Sequence, residues 1–478
     1  MGSYRAFVLQ KLSAITPRYL PFADIATEEV PLARLLRLAL FQITVGMALT
    51  LLVGTLNRVM IIELAVPATL VAGMLALPLL FAPLRALIGF RSDTHRSALG
   101  WRRVPYIWKG TLYQFGGFAI MPFALLVLSG YGEAVDVPRW VGLSSAAVAF
   151  LLVGLGLHMV QTAGLALATD LVKEKDQPKV VGLMYVMLLF GMFVSALIYG
   201  ALLENYSPGR LIQVIQGTAV LTVALNLMSL WKQEARDRNR ARAMEGAPTI
   251  LFTDALQRLL AAPGAKALLM MTGLGTFGFG MADVLLEPYG GQALGLSVAQ
   301  TTQLTALLAA GSLAGFATAS HILGRGRDPI RLAGLAALIG MPGFAAIIAS
   351  AAAHSPALFM SGILAGGFGA GLFGHATLTA VIRMAPKDQT GLSLGAWGAV
   401  QATCAGLGIA LAGLVRDVLV VADPLARFQA QTPYNVVFAI EIVFLALAIL
   451  VALPLVTRRG QNIRLSQGAT QNTSVEVP

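Results

Sequence analysis

The stretch Val66-Pro-Ala-Thr-Leu-Val-Ala-Gly-Met-Leu-Ala-Leu-Pro-Leu-Leu-Phe-Ala-Pro-Leu84 contains no charged side chain. Wound as a helix at about 1.5 Å per residue, it matches the ~30 Å hydrocarbon thickness of a bilayer. Lipid offers the backbone no hydrogen-bond partner, so a segment of this kind must satisfy its own amides as a helix. Val436–Val456 repeats the pattern with Glu441 as its single charge. The alternative, a soluble bundle of buried helices, needs about twice the charge found here. Hydrophobic residues make up 57% of the chain and charged residues 12%, and the mean hydropathy is +0.75. The chain reads as a polytopic, all-α integral membrane protein.

Working outward from these two stretches, spans are expected near 36–56, 65–88, 104–129, 141–168, 180–203 and 210–231. A second set follows near 267–289, 299–322, 330–350, 356–383, 390–415 and 434–456. The net charge of +11 suggests nucleic acid until the positions of the charges are read. Arg91, Arg96, Arg102 and Arg103 follow the second span, and Lys173, Lys175 and Lys179 follow the fourth. Arg236, Arg238, Arg240 and Arg242 follow the sixth, Arg325, Arg327 and Arg331 the eighth, and Arg458, Arg459 and Arg464 the last. Basic residues thus gather in alternate connections, as the positive-inside rule requires. The expected location is the bacterial inner membrane, with both termini cytoplasmic and with membrane lipid, not nucleic acid, as the surrounding partner. The expected units are a cytoplasmic N-terminal segment (1–35), a six-helix half (36–231), a cytoplasmic linker (232–264), a second six-helix half (265–456) and a tail (457–478). Tyr4, Phe7, Val8, Leu12 and Ile15 alternate with basic residues, a pattern for a helix lying in the headgroup layer; a disordered tail fits nearly as well. The linker carries one expected surface helix, Phe252–Leu260. Cys404 is the only cysteine, which excludes an intramolecular disulfide.

The halves repeat weakly. Gly89-Phe-Arg-Ser-Asp93 follows the second span and Gly324-Arg-Gly-Arg-Asp328 the eighth. Gly54 leads to Asn57 in span one, and Gly280 to Asp283 in span seven. His158-Met-Val-Gln-Thr162 in span four has its counterpart in His375-Ala-Thr-Leu-Thr379 of span ten, and Lys175-Asp-Gln177 recurs as Lys387-Asp-Gln389. Four matches in the same order point to two repeated six-helix halves, the architecture of major facilitator transporters. Gly89, Asp93, Arg102 and Arg103, with Gly324 and Asp328 in the second half, resemble that superfamily's latch-loop signature. The insertion Thr94–Leu99 departs from it.

A closer resemblance covers almost the whole chain. Gly54-Thr-Leu-Asn-Arg-Val-Met-Ile-Ile-Glu63, Phe81-Ala-Pro-Leu-Arg-Ala-Leu-Ile-Gly-Phe-Arg-Ser-Asp93, Leu99-Gly-Trp-Arg-Arg-Val-Pro-Tyr-Ile-Trp108 and Leu285-Leu-Glu-Pro-Tyr-Gly-Gly-Gln-Ala-Leu-Gly-Leu-Ser297 resemble the PucC/LhaA family of phototrophic bacteria. That resemblance implies an assembly factor for light-harvesting antennae, handling bacteriochlorophyll as cargo. Its implied partners are antenna polypeptides, bacteriochlorophyll synthase and reaction-centre assembly proteins. The length and N-terminal region incline to the LhaA side, which serves the core antenna. The competing class is a proton-coupled secondary transporter of a small solute, since a fold does not fix a function.

Ionisable groups within a span need a reason, because each costs about 2.5–3.5 kcal/mol at the bilayer centre on insertion scales. Asp283 and Glu287 stand four apart and should share a face of span seven, while Arg58 and Glu63 lie late in span one or just past it. The functional reading is a gate in which Arg58 pairs with Asp283 or Glu287; the plain reading is that all four snorkel to the headgroups. Proton coupling by a carboxylate is disfavoured if Arg58 holds its partner ionised. His158 and His375 could ligate the magnesium of a bacteriochlorophyll through a free imidazole nitrogen. The simpler reading is helix packing, with Thr162 and Thr379 as hydrogen-bond partners. The glycines of span ten (Gly362, Gly366, Gly367, Gly369, Gly371 and Gly374) favour close helix packing within the chain over a dimer seam. No nucleotide loop, metal-ligand spacing or catalytic motif is present in the sequence, so a non-enzymatic role is expected.

Overall fold

The computed structural model describes residues 31–80, 101, 103–130, 134, 136–173, 177–234, 260–261, 263–384, 390–422 and 429–472. The N-terminal segment before residue 31, most of the linker with its expected helix, and the end of the tail lie outside the described residues. Eleven described helices are long and apolar enough to cross a membrane, and the shorter apolar helix Ala68–Leu79 takes the place of the second span.

Local chemistry sets where the helices begin and end. Ser207 accepts from the Arg210 amide and Pro208 opens span six. Ser297 and Gln300 form a reciprocal capping box at the start of span eight (Val298–Gly324). Asp328 accepts from the amides of Ile330 and Arg331 and Pro329 opens span nine. Such caps satisfy amides that the first helical turn leaves without carbonyl partners. Gly130 closes span three in the left-handed region at φ 60°, where a Cβ is penalised.

The packing pattern reveals the internal symmetry. Span two packs on span eleven and span five on span eight. Exchanging the halves, by moving six spans along the chain, turns the first pairing into the second. These two seams are therefore the same contact related by a pseudo-two-fold axis, and they join the halves.

Span eleven runs on from its expected end at 415 to Val421, and two further elements differ from the sequence expectation. Span one does not stop near residue 56. It continues to Glu63 through two π-helical segments, Leu52–Leu56 and Val59–Glu63. Span seven does not run unbroken to 289. It is helical from Ala265 to Met281, tightens into a 3-10 turn at Ala282–Val284, and restarts as a separate helix, Leu286–Leu294. The cause of the break is Pro288. In a continuous helix its nitrogen would have to donate to the Val284 carbonyl, which proline cannot do, and its ring would clash there. After the break Pro288 falls in the first turn of the new helix, where no donor is missed.

Candidate functional site

The polar groups that link the halves gather where span one ends and span seven breaks. The Val284 carbonyl freed by Pro288 accepts from Asn57 Nδ2 of span one at 3.2 Å. The same amide reaches Glu287 Oε2 at 3.4 Å and the Asp283 carbonyl at 3.5 Å. Glu287 Oε1 accepts from the Thr305 hydroxyl at 3.0 Å. The hydroxyls of Thr55 and Thr302 meet at 3.1 Å, and Gly54 lies directly against the Thr305 hydroxyl, leaving no room for a side chain. One turn of span one is thereby fastened to spans seven and eight.

Arg58 extends this seal by a route the sequence reading did not foresee. Its guanidinium pairs with Glu63, not with Asp283 or Glu287, and its Nη2 donates to the Leu296 carbonyl at 3.0 Å. The π-helix explains the choice. Residues five apart, which diverge on an α-helix, stack on one face when bonding runs from i to i+5. Glu63 thus comes under Arg58, while the break in span seven turns Glu287 toward Asn57 and Thr305. Gly295, at φ 67°, ends the short helix and presents the next carbonyl, that of Leu296, to Arg58. Arg58 is buried and Glu63 is about a third exposed, with side-chain exposures of 6% and 37%. Tyr206, between spans five and six, lies close by: burial pushes its phenol up, Glu63 adds to that and Arg58 opposes it.

The seam between spans two and eleven is sealed in a different way. Asp417 of span eleven accepts from the Thr69 amide in the first turn of span two at 2.7 Å, an N-terminal cap supplied by the other half. The Thr69 hydroxyl donates to the Gly413 carbonyl at 3.3 Å. Asp417 also accepts from Arg416, whose guanidinium stands 5.4 Å from the Tyr434 ring centre. At the seam between spans five and eight, Gly200 packs against Gln303 and the Ala299 carbonyl. All these contacts are at the Glu63 end, so the molecule is closed there.

The remaining expected site residues lie elsewhere. His158 is buried within span four. His375 is partly buried, its ring centre 4.2 Å from that of Phe316 on span eight. Its Nδ1 has no hydrogen-bond partner, so the expected bond to Thr379 is not made at that nitrogen. Gly89, Asp93 and Arg102 of the latch loop lie outside the described residues. Arg103 Nε pairs with Asp170 at the end of span four at 3.2 Å, and Glu234 accepts from its amide, so Arg103 ties spans three, four and six. Gly324 ends span eight and Asp328 caps span nine. Asn57, Thr305, Asp417 and Glu441 were missed as site residues. The signals were present: a carboxylate alone in an apolar span, and an Arg416-Asp417 pair at the end of another.

A two-fold bundle of membrane helices, sealed at one end by polar contacts between its halves, has the fold of the major facilitator transporters. Solved structures agree. A nucleoside transporter matches with a TM-score of 0.66 at 13% identity, covering 88% of this chain and 99% of its own. A bacterial homologue of the iron transporter ferroportin, facing inward, matches at 0.63 and 15%, covering 88% and 98%. Within that fold the chain belongs to the PUCC protein family, whose model matches residues 55–460. It is 66% identical to Protein PucC of Rhodobacter capsulatus over 96% of this chain and all of that one. It is 59% identical to Protein PucC of Rhodovulum sulfidophilum, over 91% and 96%. A protein of the puhA-bchM intergenic region of Rhodobacter capsulatus is 48% identical, over 93% and 94%.

Proposed function

We propose that the chain is a non-enzymatic assembly factor for bacterial light-harvesting antennae, working in the photosynthetic inner membrane with both termini cytoplasmic. The observation that carries this reading is the end-to-end likeness to proteins named PucC, from 55 to 460 by the family model and at 66% identity over the full length of one relative. The cargo is bacteriochlorophyll, a nascent antenna polypeptide, or both as a unit. A distant relative, 26% identical over 89% of this chain, is named as a bacteriochlorophyll synthase chain, which is in keeping with a pigment-related role. The geometry suits a device that closes on one side of the membrane and opens on the other. His375, whose Nδ1 has no hydrogen-bond partner, is a candidate ligand for a pigment magnesium.

The test is gentle purification of the full chain from a phototrophic host, followed by its absorption spectrum and identification of co-purifying chains. Bound bacteriochlorophyll together with antenna subunits is the expected result. A colourless, partner-free protein that accumulates a small solute in vesicles would overturn the assembly reading in favour of a transporter.

A further inference from the structure

Glu441 lies in the middle of span twelve, fully buried, and neither carboxyl oxygen has a side-chain hydrogen-bond partner. Its turn of helix packs on span seven one turn before the break: a Cβ on Gly278 would stand 3.2 Å from the Glu441 carbonyl. Helical side chains tilt toward the N-terminus of their own helix, which for span twelve is the sealed end. The Glu441 carboxyl is accordingly directed at the break, toward Ala282 and Asp283. Glu287, four residues on from Asp283, is buried in the seal beside Asn57 and Thr305. Three carboxyls from two spans thus converge on the break, with the partly exposed Asp283 between two buried glutamates.

Among the described residues no neighbouring cation compensates them. Arg58 is held by Glu63 and Arg416 by Asp417. Lys266 on span seven and Arg331 on span nine stand at the far ends of their helices, and His321 is near the far end of span eight. The seventeen residues from Lys266 to Asp283 place that amine about 25 Å away along the axis. Among the described residues no group of three acidic, histidine or cysteine side chains has the geometry to hold a metal ion. A buried carboxylate with no cation or metal beside it, and only the Ala282 backbone amide near enough to donate, is disfavoured, and the group neutralises by taking up a proton.

We propose that Asp283, Glu287 and Glu441 form a proton-binding site that is loaded in this closed state, and that release of its proton to water unfastens the seal. The proton enters and leaves through Asp283, the partly exposed member. When Glu441 ionises beside Asp283, two like charges face each other across spans seven and twelve. The strain falls on the Ala282–Val284 turn, whose carbonyls hold Asn57 and so the first half. The ligand is a proton irrespective of the cargo, so the inference does not depend on the antenna reading.

Two readouts on the purified full chain test it. Infrared difference spectroscopy should show the carbonyl stretch of a protonated, dry carboxylic acid, absent in Glu441→Gln. A cysteine at Thr302, in a Cys404→Ser background, reports opening by its reaction with a water-soluble maleimide. Normalised at each pH to the same reporter in denatured protein, which removes the effect of thiolate formation, labelling should rise several-fold from mildly acidic to alkaline pH, and Glu441→Gln, which mimics the protonated form, should hold the normalised value low throughout. If Glu441→Gln fails to fold, Asp283→Asn serves as the second variant, with the same flattening of the pH profile. Absence of the carboxylic acid band, or labelling that rises equally with and without Glu441, would overturn the proposal.

Discussion

Arg58 and Glu63 form one ion pair with unequal members, and that inequality is measurable. Replacing Glu63 by Gln strands a buried guanidinium, whose remaining charge-assisted contact is the Leu296 carbonyl. Stranding a buried charge approaches about 3 kcal/mol. Replacing Arg58 by Met keeps most of the stem's packing and leaves behind a carboxylate that already reaches solvent, a charge worth about 0–1 kcal/mol, plus an unmet carbonyl at about 1 kcal/mol. Thermal unfolding in detergent should therefore show Glu63→Gln as the more damaging substitution. The reverse order would mean that Glu63, not Arg58, is the desolvated member. From sequence, four charged residues at the ends of spans one and seven marked this region. Their pairing was not legible, because it depends on a π-helical phase and a proline-induced break that apolar periodicity does not record.

Glycines of span ten behave as the sequence suggested in aggregate and differ one by one. A Cβ at Gly371 would run into the backbone of Ser312 on span eight, and one at Gly315 into the Phe368 carbonyl of span ten. Gly366, in the same glycine-rich run, has open space around its Cβ position. Gly371→Ala and Gly315→Ala should each destabilise the protein by about 1–3 kcal/mol through overpacking. Gly366→Ala should be neutral or slightly stabilising, because alanine is the better helix former. Unfolding midpoints of the three variants check this, and a loss at Gly366 equal to that at Gly371 would contradict the packing described. Spacing four apart announces that a helix will be approached closely, but which glycine meets a neighbour depends on crossing geometry, which only the assembled bundle fixes.

For the molecule as a whole, closure at the Glu63 end is a state that can be wedged. Gly413 of span eleven lies so near span two that a Cβ there would be 2.5 Å from that of Ala72 and 2.8 Å from the Ala68 carbonyl. Gly413→Leu should push the halves apart and raise maleimide labelling of a cysteine at Thr302 several-fold over the same reporter without the wedge. Unchanged labelling in a folded variant would show that this seam does not govern closure. At this scale the sequence was most informative. Twelve spans and two repeated halves follow from uncharged runs and matched motifs such as Gly54 to Asn57 and Gly280 to Asp283. What it concealed was the way the halves meet, since Asp417 and Thr69 are far apart in the chain and neither belongs to a motif. That separation also sets an order of events during synthesis. The cap that completes the start of span two is encoded 348 residues later, and at about 5–20 residues per second the ribosome reaches it only after roughly 17–70 s. For that interval the N-terminal spans enter the membrane with their sealing edge unmet, and whatever covers that edge meanwhile must leave as the second half is delivered.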